Sequence, residues 1–167
     1  MSEAVEFAKE RSLRIFLLGA GTNLILGNHI DGLVIKNNLR GKTFSENEVK
    51  ASSGENWEEL VRSCDSKSFP GLENLGLIPG TVGAAPIQNI GAYGTEVSDF
   101  VDEVEAFDRS GEKLILKGSD CEFGYRTSIF KSKNDFIIGW VTFKLLKMIH
   151  QLSKVRQWTF SCLICPN

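Results

Sequence analysis

Residues 71–94 read GLENLGLIPGTVGAAPIQNIGAYG, a stretch with six glycines and two prolines in which neither a helical nor a strand period can be followed. An irregular segment of this length in a compact domain is usually either functional or disordered. Its leucine, isoleucine and valine content argues against disorder. We therefore expect an ordered loop with a purpose of its own.

The middle of this loop, Ile78–Asn89, has the composition of a ligand-binding wall. No Lys or Arg occurs between Ser68 and Gly94, so a bound anion would be met by backbone N–H groups and hydroxyls. A P-loop NTPase needs its lysine, which excludes that class. Two interpretations stay open: a wall for a cofactor diphosphate that is held and never cleaved, and an irregular loop whose glycines allow close packing over the core.

A second glycine motif, Gly19–Asn23, directly follows a predicted buried strand. Glycines two positions apart let backbone N–H groups approach a ligand, and Thr22 and Asn23 add short donors suited to phosphate oxygens. Again no Lys or Arg occurs between Ile15 and Ile35. The alternative is a tight turn between two strands. A Rossmann fingerprint is excluded, because the third glycine and the following helix are absent.

The residues around these loops predict a mixture of helices and strands. Asn56 followed by Glu59 is typical of a helix N-terminus, and the apolar spacing after it gives one buried helical face. A hairpin turn is predicted at 108–111. Helices are expected at 4–11 and from 57 to a point before Pro70, and strands at 15–18, 24–26, 33–35, 49–52, 103–107, 113–116 and 137–145.

Composition and charge exclude several classes of protein. The hydrophobic share of 42% and the charged share of 24% are close to the averages for soluble globular proteins. The formal charge is -2, so the chain lacks the excess positive charge expected of a general nucleic-acid binder. No apolar run approaches the roughly 20 residues that cross a bilayer, and acidic residues stand where a signal peptide carries basic ones. We expect a cytoplasmic protein with neither nucleic acid nor membrane as partner.

The four cysteines show no spacing typical of a disulfide framework. Cys64 falls on the predicted buried face of a helix, which favours reduced structural thiols. Cys162 and Cys165 form a C-x-x-C pair, a pattern that by itself indicates metal or redox chemistry. Because no second pair accompanies them and the one neighbouring histidine is His150, we expect no metal site.

A third motif, CEFGYRTSIFK at residues 121–131, places Arg126 beside Tyr125 in an otherwise apolar segment. Arg126 could clamp a carboxylate through two N–H groups, and Tyr125 could stack on a ligand or donate to it. The alternative is a surface arginine in a loop, and residue types alone favour it.

Taken together and in this order, the three motifs resemble the UDP-N-acetylenolpyruvoylglucosamine reductases, flavoenzymes also called UDP-N-acetylmuramate dehydrogenases. The resemblance runs from about Ala4 to Leu145, and its long central motif at 71–94 is highly specific. It implies an α+β fold, the two-lobed FAD-binding architecture of the vanillyl-alcohol-oxidase (PCMH) type, which this chain contains in incomplete form.

The resemblance also implies that the two glycine motifs surround the diphosphate of FAD. Neither Cys nor His occurs in residues 71–94, so we expect the FAD to be bound noncovalently. The implied cofactor-binding residues are Gly19, Ala20, Gly21, Thr22, Asn23, Pro79, Gly80, Thr81, Gly83, Ala84, Ala85, Gln88, Asn89, Gly91, Ala92, Tyr93 and Gly94.

In the family, NADPH reduces the flavin, and hydride then passes to the enolpyruvyl double bond of UDP-N-acetylglucosamine enolpyruvate, giving UDP-N-acetylmuramate for peptidoglycan synthesis. Arg126 matches the active-site arginine, whose charge would stabilise an enolate-like intermediate through the substrate carboxylate. Tyr125 matches a substrate-binding position. The proton-donating serine and the second acidic residue of the family belong to a C-terminal substrate domain, which has no counterpart here.

We therefore predict three regions: a first FAD-binding lobe at 1–45 that lacks the start found in the family, a second FAD-binding lobe at 46–147, and a tail at 148–167 that does not match the family. Because the substrate domain is absent, we expect little or no reductase activity from this chain alone. The alternatives are a noncatalytic FAD-binding module and a nonfunctional fragment.

Overall fold

The structure is a computed structural model that describes residues 2–25, 27–133 and 136–145 of the chain. The predicted tail at 148–167, with its cysteine pair, lies outside these residues. None of the helices in the described ranges is both long and apolar enough to span a membrane.

Three helices and nine strands make up the regular structure of the described residues. In chain order they are α1 (Ser2–Glu10), β1 (Ile15–Leu18), β2 (Leu33–Lys36), β3 (Lys42–Phe44), β4 (Glu48–Ser52), α2 (Trp57–Ser66), β5 (Gly91–Ala92), β6 (Thr95–Glu96), β7 (Val101–Phe107), β8 (Lys113–Lys117), α3 (Ile129–Ser132) and β9 (Ile137–Lys144). Short 3-10 turns lie between several of them, including two within the long glycine-rich loop.

Five strands form one antiparallel sheet in the order β3-β4-β9-β7-β8. The last of the described strands, β9, lies at its centre between β4 and β7. Strands β1 and β2 pair in parallel as a separate two-stranded sheet, and β5 and β6 form a short hairpin. The predicted mixture of helices and strands is confirmed.

The strand predicted at 24–26 is wrong at its first two residues, and Leu26 lies outside the described residues. Leu24 and Ile25 lie in no strand, and Ile25 is fully exposed. The apolar composition indicated a strand, but a strand also needs a neighbour to take up its backbone hydrogen bonds, and no described strand pairs with these residues. Strand β3, in contrast, was not predicted. Its residues Lys42–Phe44 show no apolar alternation, and the strand is defined by its pairing with β4.

Helix α2 begins as predicted. The side chain of Asn56 accepts a hydrogen bond from the backbone N–H of Glu59 at 3.0 Å, which caps the helix N-terminus. The buried face consists of the four residues expected from the spacing, Trp57, Leu60, Val61 and Cys64. Trp57 donates its indole N–H to the carbonyl of Leu75 at 2.7 Å and packs edge-on against Phe143, so α2 is fixed both to the glycine-rich loop and to β9.

The glycine-rich loop is ordered because it contributes to the core. Its buried apolar residues pack with those of α2 and of one face of the large sheet. Those from the loop are Leu72, Leu75, Val82, Ala85 and Ile90. Burial of these side chains holds the intervening glycines in place, with short 3-10 turns and the two residues of β5 as the regular structure of the loop.

The division of the chain into lobes at residue 45 stays a prediction. Strand β3 lies before that boundary and pairs with β4 after it. The extended apolar core runs from Val49 to Leu145, within the second predicted lobe, whereas in the first lobe the buried apolar residues are Val5 and Ala8.

We predict that Trp57→Phe lowers the free energy of unfolding by about 2 kcal/mol, because it removes buried area and leaves the carbonyl of Leu75 without its partner. Urea denaturation followed by circular dichroism measures the change. Trp140→Phe is the matched control, since Trp140 is only half-buried and its indole makes no hydrogen bond within the described residues. Equal losses in the two variants would contradict this assignment.

Candidate functional site

The first glycine motif directly follows β1 and forms an exposed loop. Gly21 adopts a φ of +74°, a conformation that a side chain would strain. Within the described ranges, the backbone N–H groups of Gly19–Asn23 donate no hydrogen bond to the protein. The loop therefore presents a row of free donors, as an anion site requires. Leu24 and Ile25 form no strand after it, and its role as an anion site stays a prediction.

The second motif rests on the turn Ser53–Glu55, which joins β4 to α2. Val82 donates its backbone N–H to the carbonyl of Glu55 at 2.9 Å, and Gly83 donates to that of Ser53 at 2.8 Å. A β-carbon at Gly83 would lie 2.5 Å from the Cβ of Ser53, so only glycine fits here. Gly80 and Thr81, on the outer side, donate no backbone hydrogen bond within the described residues.

The two motifs meet, as the prediction of a shared site requires. The hydroxyl of Thr22 lies 3.5 Å from the carbonyl of Pro79, and the amide of Asn23 lies 3.4 Å from Oε1 of Gln88. A β-carbon at Gly19 would lie 3.0 Å from the hydroxyl of Thr81. The two loops are thus in contact, and the hydroxyls of two threonines lie where they meet.

The predicted cofactor residues differ in exposure. Ala20, Gly21, Thr22, Asn23, Pro79, Tyr93 and Gly94 are exposed; Gly19, Gly80, Thr81, Ala84, Gln88, Gly91 and Ala92 are half-buried; Gly83, Ala85 and Asn89 are buried. Their role as cofactor ligands stays a prediction. The buried members support the loop from inside rather than face solvent.

Asn89 lies in an internal hydrogen-bond network. Its side chain is fully buried and its φ is +44°. Its amide donates to Oε2 of Glu96 at 2.7 Å and to the carbonyl of Gly124 at 3.2 Å, and its Oδ1 accepts the N–H of Ser98 at 3.1 Å. Asn89 therefore ties the glycine-rich loop to the segment that carries Arg126.

The turn of the β5–β6 hairpin consists of Tyr93 and Gly94, both with positive φ, at +52° and +78°. Positive φ at both central residues is typical of a type I′ turn, which matches the twist of a two-residue hairpin. Tyr93 is 91% exposed at its tip. The hairpin thus projects an aromatic ring into solvent.

Arg126 adopts a left-handed backbone conformation with φ +54°. Its Nη2 donates to the carbonyl of Gly91 at 2.8 Å, and its own carbonyl accepts the ammonium group of Lys131 at 2.8 Å. Tyr125, beside it, is 86% exposed. These bonds direct the guanidinium toward the β5–β6 hairpin, so the third motif lies next to the end of the second.

Three polar residues that lie beneath the loops were not among the predicted site residues: Asn37, Ser53 and Glu55. The amide of Asn37 donates to the hydroxyl of Ser53 at 2.7 Å. Glu55 is buried, accepts the N–H of Gly41 at 2.7 Å and lies 3.5 Å from the ammonium of Lys42. The sequence signal that could have identified Ser53 and Glu55 is the stretch SGEN at 53–56. It places two small residues and a carboxylate between a predicted strand and a predicted helix N-cap.

The thiols of the described residues take no part in this surface. Cys64 and Cys121 are both buried and free, and burial raises the pKa of each to about 12. The described ranges contain no group of three or more His, Cys, Asp or Glu side chains that could hold a metal ion. The Cys162–Cys165 pair lies outside those ranges.

Comparison with known proteins agrees with this geometry. Residues 1–117 match the model of a protein family described as FAD binding domain. This match covers most of the chain, and the chain therefore belongs to the family of FAD-binding domains.

The particular relatives are reductases. The chain is 43% identical to UDP-N-acetylenolpyruvoylglucosamine reductase of Ralstonia nicotianae, over 87% of this chain and 46% of that protein. It is 48% identical to the enzyme of the same name from Pseudoalteromonas translucida, over 78% of this chain and 41% of that protein. The predicted resemblance is confirmed, and the chain spans less than half the length of these two relatives.

Two solved structures confirm the fold. UDP-N-acetylenolpyruvylglucosamine reductase from Thermus caldophilus superposes with a TM-score of 0.71 at 28% identity, over 87% of this chain and 54% of that one. A 6-hydroxy-D-nicotine oxidase from Arthrobacter nicotinovorans superposes with a TM-score of 0.68 at 15% identity, over 87% of this chain and 34% of that one, a likeness of fold alone.

We predict that iodoacetamide at pH 8 leaves Cys64 and Cys121 unlabelled in the native chain. A pKa of about 12 keeps both thiols protonated at that pH, and burial blocks access. Peptide mass spectrometry before and after addition of guanidinium chloride measures the labelling of each cysteine separately. Native labelling of either peptide as fast as in denaturant would show that the core is not closed as described.

Proposed function

We propose that this chain is the FAD-binding portion of an NADPH-dependent reductase that converts UDP-N-acetylglucosamine enolpyruvate to UDP-N-acetylmuramate for peptidoglycan synthesis. The observation that carries the proposal is the meeting of two glycine loops that expose free backbone N–H groups and no cationic side chain. The names of the similar reductases support the choice of substrate.

The residues at this surface fit the diphosphate of FAD. The backbone N–H groups of Gly19–Asn23, Gly80 and Thr81 point partial positive charge at an anion without the full charge that phosphoryl transfer would need. Thr22 and Thr81 add hydroxyl donors. When bound, FAD supplies hydride transfer between a nicotinamide and the substrate.

The loop 71–94 contains no Cys or His that could form a covalent bond to a flavin, which supports noncovalent binding. Gly91, Ala92, Tyr93 and Gly94 extend the wall from the diphosphate surface toward Arg126. The Asn89 network and the bond from Arg126 to Gly91 support this continuity.

Arg126 would bind the substrate carboxylate. A guanidinium carries five N–H donors, and the Nη2 bond to the carbonyl of Gly91 leaves others for a ligand while fixing the orientation of the group. Its permanent charge would stabilise negative charge that develops on the substrate beside the carboxylate. Tyr125, exposed next to it, would contact the same substrate.

We further infer that the protein acts in the cytoplasm on a diffusible nucleotide sugar, with neither nucleic acid nor membrane as partner. The formal charge of -2 supports this, since binding to nucleic acid or to an anionic membrane surface is driven by excess positive charge.

FAD titration of the purified chain tests the proposal. We expect saturable uptake at one FAD per chain, seen as quenching of flavin fluorescence. NADPH oxidation with and without enolpyruvyl substrate then separates a binding portion from a complete catalyst. A folded chain that takes up no FAD would overturn the proposed function.

We predict that Gly21→Ala weakens FAD binding at least about tenfold, because a β-carbon at φ +74° strains the loop and turns its N–H groups away from the diphosphate. Gly111→Ala is the matched control. Gly111 has a φ of +88° in the β7–β8 turn with open space around it, so the backbone strain is similar and the location is remote. FAD titration of both variants measures the difference, and equal weakening would contradict the assignment of the first loop.

We predict that Arg126→Ala keeps the FAD dissociation constant within about twofold and weakens the substrate-induced change in the flavin spectrum at least tenfold, as expected for loss of a charged partner to a carboxylate. Arg62→Ala is the control, because Arg62 is an exposed arginine of α2 that pairs with Glu58. Unchanged substrate binding in Arg126→Ala would contradict the role given to Arg126.

A further inference from the structure

We propose that Asn37 is a positioning residue that fixes the distance between the two glycine loops, so that FAD affinity depends on a side chain that does not contact FAD. This inference rests on the proposed function, in which both loops hold one diphosphate. It concerns a residue that lies beneath the surface, at the end of β2.

Asn37 uses every polar group of its amide. Its Nδ2 donates to the hydroxyl of Ser53 at 2.7 Å and to the carbonyl of Ile138 at 3.2 Å. Its Oδ1 accepts the backbone N–H of Leu39 at 3.2 Å. Its backbone N–H donates to the carbonyl of Leu18 at 2.8 Å, at the residue directly before the first glycine loop.

Ser53 continues the connection to the second loop. Its carbonyl accepts the N–H of Gly83 at 2.8 Å, and its own N–H donates to the carbonyl of Gly139 at 2.9 Å. Ser53 is fully buried, and Gly83 lies against it without room for a β-carbon. A continuous route of short hydrogen bonds therefore leads from Leu18 through Asn37 and Ser53 to Gly83.

The direct contacts between the loops are weaker than this route. The bonds from Thr22 to Pro79 and from Asn23 to Gln88 measure 3.5 and 3.4 Å, and both involve exposed side chains. Hydrogen bonds near 3.5 Å lie at the limit of useful geometry, and water competes for exposed ones. The Asn37–Ser53 bond is short and partly buried, so it determines where the first loop lies relative to the second.

The positioning role predicts a specific chemical requirement. Residue 37 must donate two hydrogen bonds from one planar group, to a hydroxyl and to a backbone carbonyl on β9. Asn meets this requirement, whereas Ala removes both donors. If the loops shift apart by a fraction of an ångström, their N–H groups no longer converge on one diphosphate, and binding weakens although every contacting residue is unchanged.

The test compares Asn37→Ala, Ser53→Ala, the double variant and the control Asn38→Ala, whose exposed side chain is the adjacent asparagine. FAD dissociation constants are measured by fluorescence quenching at a temperature where circular dichroism shows each chain folded. We expect Asn37→Ala and Ser53→Ala each to bind FAD about tenfold more weakly, the double variant no more weakly than the worse single one, and Asn38→Ala as wild type.

Hydrogen exchange of the chain without FAD provides a second readout. We expect Asn37→Ala to speed exchange of the Gly83 amide, which lies in the other loop, and Asn38→Ala to leave it unchanged. A purely local role would confine the change to β1 and β2.

The outcomes separate the two proposals. Absence of FAD uptake by the wild-type chain overturns the proposed function, while the exchange of Gly83 still decides whether Asn37 couples the loops. If wild type binds FAD and folded Asn37→Ala binds it equally well, the positioning role is wrong. Should Asn37→Ala not fold, Ser53→Ala decides in its place, because it keeps the bond from Asn37 to Ile138.

Discussion

The close packing of Gly83 on Ser53 is the constraint on which the candidate site depends. With no β-carbon between them, the glycine-rich loop lies directly on the turn between β4 and α2 and donates two backbone hydrogen bonds to it. The inner side of the loop is thereby satisfied by the protein, and its outer side keeps free N–H groups. A loop with little regular structure forms a wall because its buried side packs into the apolar core.

The sequence predicted the two glycine motifs better than the contact between them. Both glycine motifs and the cap at Asn56 follow from local chemistry, since positive φ, small residues and a side-chain acceptor leave signals in a short stretch. That the motifs touch depends on side chains distant in sequence, such as Asn37, which looks like any polar residue after a strand. Asn89 shows the same limit, because composition does not reveal that its amide is buried among internal partners.

Neither glycine loop of the candidate site contains a Lys or an Arg. In the proposed function, partial charges on main-chain N–H groups would hold the diphosphate without a fully charged side chain. The guanidinium of Arg126 donates to the carbonyl of Gly91 and so lies beside the hairpin, at the end of the second loop. The proposed function therefore gives anion binding and charge stabilisation to separate parts of the chain, which Asn89 joins through its bonds to Glu96 and Gly124.

The central place of β9 has a consequence for how the chain is made. Synthesis on the ribosome delivers this strand after all the others of the sheet. Yet β4 and β7 both pair with it, and both Asn37 and Ser53 donate hydrogen bonds to its carbonyls. Contacts between residues so far apart in sequence form slowly and late. Until β9 emerges, β4 and β7 lack the strand that lies between them and the apolar face of the sheet stays incomplete, a period in which chaperones or neighbouring chains compete for it.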